Sequence, residues 1–208
     1  MIDKMDVNRM VFVVLNHRGT NPLLRRWLTQ FPQVMLASHF CSFAGRDLLA
    51  CWRNQIVEHF LTLENADWLI MCDDDVIPII GETEKLLECE ADVSACRYFA
   101  RYGVEAHPEE GEIGLHIAKI SRKALEKIKP PWFAFEMNEK GTAQRTCECD
   151  YFCKKAKEAG FYPVKAGIAG HLIEVYAIPT DNPKQCAIKF PPLYQGIQCA
   201  GIEPLKKL

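Results

Sequence analysis

The chain alternates short apolar runs with amphipathic stretches. "MVFVVLNHRG", Met10 to Gly19, is apolar through Leu15 and then turns polar. A run without in–out alternation predicts a strand buried on both faces, as in a parallel sheet, followed by a loop. "PLLRRWLTQF" predicts a short helix with Pro22 in its first turn, and "QVMLASHF" a second strand. From Asp47 to Leu63, Leu48, Leu49, Trp52, Ile56, Val57, Phe60 and Leu61 recur at helical spacing and predict an amphipathic helix. "DWLIMC" reads as a strand, "GETEKLLECE" as a helix after Pro78, and "DVSACRYFA" as the next strand.

The pattern then changes. "RYGVEAHPEEGE" is polar and turn-rich, a predicted loop. "GLHIAKISRKALEKI" reads as a strand leading into a short helix, and "DYFCKKAKEAG" as a helix stopped by Gly160. "FYPVKAGIAGHLIEVY" reads as extended, and the proline-rich end lacks periodicity. Strands alternating with helices predict an α/β sandwich with a central, mostly parallel sheet.

Composition narrows the class. The chain has 208 residues, 49% hydrophobic and 25% charged, which suits one domain with a sizeable core. A net charge of −2 gives no global basic field for nucleic acid or anionic membrane. No apolar run reaches the roughly 18 residues of a membrane span, and the N-terminus "MIDKMDVNRM" lacks signal-peptide order. The expectation is a cytoplasmic chain whose ten cysteines are mostly free thiols. Cys147, Cys149 and Cys153 raise the question of zinc, but no CxxC pair or matched second pair accompanies them. Lys154, Lys155, Lys157 and Lys165, with Lys206 and Lys207, could meet phosphates, although a solvated helix face is the expected reading.

The chemistry concentrates in "ADWLIMCDDDVIP", where an apolar strand ends in three aspartates. Strand ends form the functional edge of an open α/β sheet. Carboxylates there need a cation or solvent, because burying an unpaired charge costs several kcal/mol. The plain alternative is a solvated acidic turn. In extended chain, Asp73 and Asp75 share a face about 7 Å apart and Asp74 takes the other. Two hard oxygens on one face suit Mn²⁺ or Mg²⁺.

The segment resembles the D-x-D region of GT-A-fold glycosyltransferases, above all the small, soluble family-2-like enzymes of bacteria and phage. "WRNQIVEHFLTLENADWLIMCDDDVIP" looks like that family's Arg-Asn helix, strand and D-x-D followed by Pro. "SACRYFAR", "IAKISRKALEKIKPPWF", "ECDYFCKKAKEAGF" and "AGHL" resemble its later segments in the same order, over residues 10 to 176. The resemblance implies a GT-A-like (Rossmann-like) three-layer α/β sandwich. It implies a single domain, residues 1–208, with a nucleotide-sugar and metal half (about 10–100), an acceptor and catalytic half (about 101–176) and an irregular tail (177–208). The implied activity is metal-dependent transfer of a sugar from a nucleotide-sugar, a UDP-sugar first, to a hydroxyl, with inversion.

By position, the resemblance assigns Asp73, Asp75 and His171 to the metal, with Asp75 the more direct ligand. Asn16, Arg18, Arg53, Asn54 and Asp74 fall to the donor, and Trp132 and Phe133 to the sugar and acceptor. A solvated helix face is an equal reading for Arg53, and a core aromatic pair a close one for Trp132 and Phe133. The other histidines, His116 among them, receive no role. The family's catalytic base is the Asp of a Glu-Asp pair three residues before Phe. Here Cys149 takes that place relative to Phe152, so either Asp150 has shifted into the role or Glu148 serves. The family preference for Asp favours Asp150. If a helix includes both, Glu148 flanks its buried side and Asp150 points away. The acceptor stays open among a polysaccharide, a protein and a hydroxylated DNA base. Two alternatives are a nucleotidyltransferase, for which "NHRGTNP" is a poor phosphate loop, and a non-catalytic nucleotide-sugar-binding protein.

Overall fold

The computed structural model describes residues 6–16, 19–38, 46–98, 105–172, 176–179 and 186–189. After a 3-10 turn at Val7–Arg9 come β1 (Met10–Asn16), α1 (Pro22–Leu28), β2 (Val34–Ser38), α2 (Arg46–Thr62), β3 (Trp68–Asp73), β4 (Val76–Pro78), α3 (Glu84–Glu88) and β5 (Val93–Arg97). Then follow β6 (Ile117–Ser121), α4 (Arg122–Lys127), β7 (Glu136–Met137), β8 (Gln144–Thr146), α5 (Glu148–Glu158), β9 (Val164–His171), β10 (Tyr176–Pro179) and β11 (Cys186–Lys189).

Seven strands form one sheet in the order β2-β1-β3-β6-β5-β9-β4. β1 pairs parallel with β2 and β3, and β5 with β9. β6 runs antiparallel between β3 and β5, and β4 antiparallel to β9. The strands apart from β6 and β4 share one direction, so the sheet is mostly parallel, as the apolar runs predict.

The sheet is covered on both faces, which is why β1 reads as continuously apolar. Val11, Val13 and Leu15 face a cluster that includes Val57 and Phe60 of α2, Leu125 of α4 and Phe152 of α5. Met10, Phe12 and Val14 face Leu24, Trp27 and Leu28 of α1 with Leu86 and Leu87 of α3. Helices on two faces of one sheet make the expected three layers. Local signals start two of the helices. The Asn21 side chain accepts from Leu24 N (2.9 Å) ahead of Pro22, and Ser121 Oγ from Ala124 N (3.0 Å).

Two features shape the sheet's functional edge. The first is a turn at Asp74 and Asp75, where the chain leaves β3 and enters β4. The second is β9. Its first part pairs with β5, and its last residues, Ala169 to His171, pair with β4. Gly167 sits at the change with φ +74°, and a Cβ there would lie 2.1 Å from Glu82 O. Only glycine allows that approach and that backbone.

Candidate active site

The aspartate run is not extended throughout. Asp73 closes β3 and Asp74 and Asp75 form a turn, which corrects the strict alternation expected of them. Asp73 and Asp75 converge nonetheless, because the turn carries Asp75 back over the end of β3. Asp73 Oδ2 lies 3.9 Å and Asp75 Oδ1 3.7 Å from His116 Nδ1. Asp74 is buried, and its carbonyl accepts from Asn21 N (3.1 Å) and Asn21 Nδ2 (3.2 Å). Asn21 thereby ties the turn to the start of α1.

His171 arrives through strand pairing. Val76 opposes His171, and Leu172 N donates to Asp75 O (2.9 Å). The His171 Nε2 atom stands 3.1 Å from Asp75 Oδ2. His116 arrives from the antiparallel side. Cys72 opposes Ile117, so His116 falls beside Asp73, whose N donates to His116 O (2.8 Å). One ligand atom each from Asp75, His116 and His171 lies within 4.8 Å of the others. Asp75 Oδ1 is buried without a hydrogen-bond partner, which fits a carboxylate oxygen kept for a metal. One carboxylate with two imidazoles is a mixed donor set that could hold a divalent ion such as Mn²⁺, where the sequence pointed to Asp73, Asp75 and His171.

The electrostatics separate the two aspartates. Burial pushes Asp73 up to about 6 against the pull of Arg53. For Asp75, burial acts upward, but the His171 hydrogen bond, with the electrostatic pull of His171 and a smaller one from His116 when protonated, leaves it below the ordinary range. Burial drives His116 down to about 4, so it is neutral at pH 7, the form in which imidazole ligates a metal. The Tyr98 ring stacks on His116 (centroids 4.6 Å apart) and meets His171 edge-on (5.9 Å). Gly114 makes that possible, since a Cβ there would stand 2.2 Å from the Tyr98 ring.

Arg53, only 1% exposed, reaches from α2 to this centre. Its guanidinium donates to Asp73 Oδ1 (2.9 Å) and Leu115 O (3.3 Å). It neutralises Asp73 rather than standing on an open helix face. Asn54 requires a correction. Its Oδ1 accepts from Trp132 N (2.9 Å) and Phe133 N (3.1 Å), and its Nδ2 donates to Ala50 O (2.9 Å) and Phe133 O (2.8 Å). That fills the amide, so Asn54 clasps a chain segment and has no capacity left for a donor. Trp132 and Phe133 are corrected with it. Trp132 is 5% and Phe133 1% exposed. Trp132 Nε1 donates to Leu125 O (2.9 Å), and Phe133 stacks on Phe152 at 4.9 Å. Both aromatics are core, and no sugar ring lies against faces that protein already covers.

The pair at the start of α5 divides as helical geometry requires. Cys147 is the N-cap, with its sulfur accepting from Asp150 N (3.4 Å). Glu148 is 8% exposed, and its charge acts on Arg53, Asp73 and Tyr98. Asp150 is 38% exposed at its side chain and meets His107 Nδ1 at 2.9 Å. Cys149, in the family's usual Asp position, is buried with its sulfur accepting from Leu115 N (3.4 Å). Of the lysines, Lys165 pairs with Glu105 (3.1 Å) and Lys155 donates to Pro131 O (2.7 Å). Arg18, Lys206 and Lys207 lie outside the described residues, and Asn16 is described in its backbone alone.

His116 and Tyr98 are the residues that sequence reasoning missed. A signal for His116 exists: it stands just before an apolar strand, as the aspartates stand just after one. Opposed strands bring both to one edge, but that reading needs the β3–β6 pairing.

No protein-family model and no curated protein matches the sequence. Solved structures do. "A197 from STIV" superposes with a TM-score of 0.55 at 21% identity, over 88% of this chain and 94% of that one. The catalytic domain of Drosophila beta1,4galactosyltransferase 7, solved with xylobiose, superposes with a TM-score of 0.51 at 13% identity, over 79% and 71%. Among the described residues, no helix is long and apolar enough to cross a membrane. With a curled, mostly parallel sheet between two helical layers, and a glycosyltransferase catalytic domain among its structural neighbours, the chain has a GT-A-like fold.

Proposed function

We propose that the protein transfers a sugar from a nucleotide-sugar, a UDP-sugar first, to a hydroxyl acceptor, using a divalent ion, Mn²⁺ before Mg²⁺, held by Asp75, His116 and His171. The observation that carries this reading is the convergence of those three residues on one edge of a GT-A-like sheet, with a buried Asp75 oxygen left without a partner. A divalent ion held by these residues would supply Lewis-acid stabilisation of a leaving diphosphate.

The chain's own groups have separate tasks. Arg53 holds Asp73 in place and offsets its charge, so that the site is not left with two uncompensated carboxylates. Tyr98 holds His116 by stacking. Glu148 is the acceptor's base: it takes the hydroxyl proton as the oxygen attacks the anomeric carbon and the nucleoside diphosphate departs, with inversion. Its nearness to Arg53 and Asp73 supports Glu148 over Asp150, whose carboxylate is engaged by His107.

A second reading is a nucleotide-sugar-binding protein without turnover, favoured by the cysteine at position 149. A thermal-shift panel of nucleotide-sugars with Mn²⁺ and with EDTA tests class, metal and donor together. Stabilisation by a UDP-sugar that needs the metal supports the proposal, and none with any nucleotide-sugar overturns it. Transfer or hydrolysis of the donor separates enzyme from binder, and pyrophosphate release would indicate a nucleotidyltransferase instead.

A further inference from the structure

A second cluster of metal-binding side chains lies at the start of α5, on residues that the proposed transfer does not use. One ring nitrogen of His107 and the sulfurs of Cys147 and Cys149 lie within 4.8 Å of one another. From this cluster we infer a separate zinc site formed by His107, Cys147 and Cys149.

The donor chemistry selects the metal. Two sulfurs with an imidazole are soft and borderline ligands, which favour Zn²⁺ over the oxygen-seeking Mn²⁺ and Mg²⁺. Three protein ligands leave a fourth tetrahedral position for water or for Asp150, which already meets His107 Nδ1 at 2.9 Å. Backbone N–H groups face both sulfurs. Cys147 Sγ accepts from Asp150 N and Cys149 Sγ from Leu115 N, both at 3.4 Å. Cys147 caps an eleven-residue helix whose N-terminal dipole favours negative charge. Binding replaces two S–H bonds by two S–Zn bonds and releases two protons. Two thiolates and a neutral imidazole then leave the bound Zn²⁺ with no net charge.

The loop supports the same reading. His107 is the non-glycine residue with positive φ (+52°) among those described. A residue outside glycine persists there when its surroundings hold it. Cys153 does not contribute: its sulfur sits against Ile113, 3.5 Å from N and 3.7 Å from O. The third ligand comes from the loop after β5 rather than from the cysteine run, which is why no zinc spacing shows in the sequence. A metal here fastens the loop of His107 to the first turn of α5, the turn that carries Glu148.

Cobalt reports thiolate ligation directly. The full chain, reduced and stripped by chelator, is titrated with Co²⁺. A thiolate-to-cobalt charge-transfer band saturating at one equivalent is expected. It is lost in Cys147→Ser and Cys149→Ser, weakened tenfold or more in affinity in His107→Ala, and kept in Asp75→Ala and Cys153→Ser. In the unmutated chain, Zn²⁺ should slow alkylation of Cys147 and Cys149 at least tenfold and leave the exposed Cys51 unchanged, a readout that needs no variant to fold. Absence of the band, its survival in the Cys147→Ser, Cys149→Ser double variant, or alkylation indifferent to Zn²⁺ would each overturn the site.

Discussion

Asp75 and His171 meet at 3.1 Å although 96 residues separate them along the chain. The pairing of β4 with the end of β9 makes the contact, and the Gly167 bend lets β9 reach that far. Asp75→Ala should therefore abolish metal-dependent nucleotide-sugar binding while the fold survives, since the side chain is partly exposed. Calorimetry with Mn²⁺ and a UDP-sugar measures it, and undiminished affinity would sink the metal assignment. His116→Ala should weaken the metal as well, by roughly tenfold or more.

The α5 carboxylates separate by a pair of conservative changes. Glu148→Gln should lower turnover by about 10²- to 10⁴-fold with donor binding intact. Asp150→Asn should leave most of the turnover. Steady-state transfer assays beside donor titrations distinguish the two. The opposite ranking would move the base to Asp150, and equal, full rates in both variants would mean that it lies elsewhere.

Asn54 predicts a stability effect in place of a binding one. Asn54→Ala removes the acceptor for Trp132 N and Phe133 N and the donor to Phe133 O. Leaving such part-buried groups unsatisfied costs on the order of 1–3 kcal/mol, with donor affinity unchanged where the protein stays folded. Urea denaturation of the variant checks it; a loss of affinity at full stability would restore Asn54 to the donor site.

Lys119 sets a pH dependence. Its ammonium is buried, donates to Leu87 O (2.7 Å) and Cys89 O (2.6 Å), and stands 4.0 Å from the Trp68 ring centre. Burial lowers it from 10.5 to about 8. Between those values the unfolded chain holds a proton that the folded chain has released, so this group adds stability as pH rises through the window. The penalty is fully present below about pH 8 and gone above about 10.5. Relative to Lys119→Met, the natural chain should gain on the order of 1–2 kcal/mol between pH 7.5 and 9.5. A difference independent of pH would show that the folded lysine keeps its proton through this window as the unfolded one does, so that burial does not lower it.

The order of elements was legible in the sequence because apolar periodicity is local. The continuous run of β1, the helical spacing in α2 and the stop at Gly160 each need only neighbouring residues to be read. The resemblance also singled out Asp73, Asp75 and His171, which the fold brings to one edge of the sheet. The tertiary structure alone decided what surrounds them. Periodicity does not record which strand lies beside which, and the antiparallel β6 is what brings His116 to Asp73. Nor does residue type record which side chains are already occupied. Asn54, Trp132 and Phe133 carry the chemistry of a binding site, yet hydrogen bonds and core packing have used their capacity. His107 and the two cysteines show the converse: their ligand geometry spans a loop and a helix start forty residues apart, a distance that only folding closes.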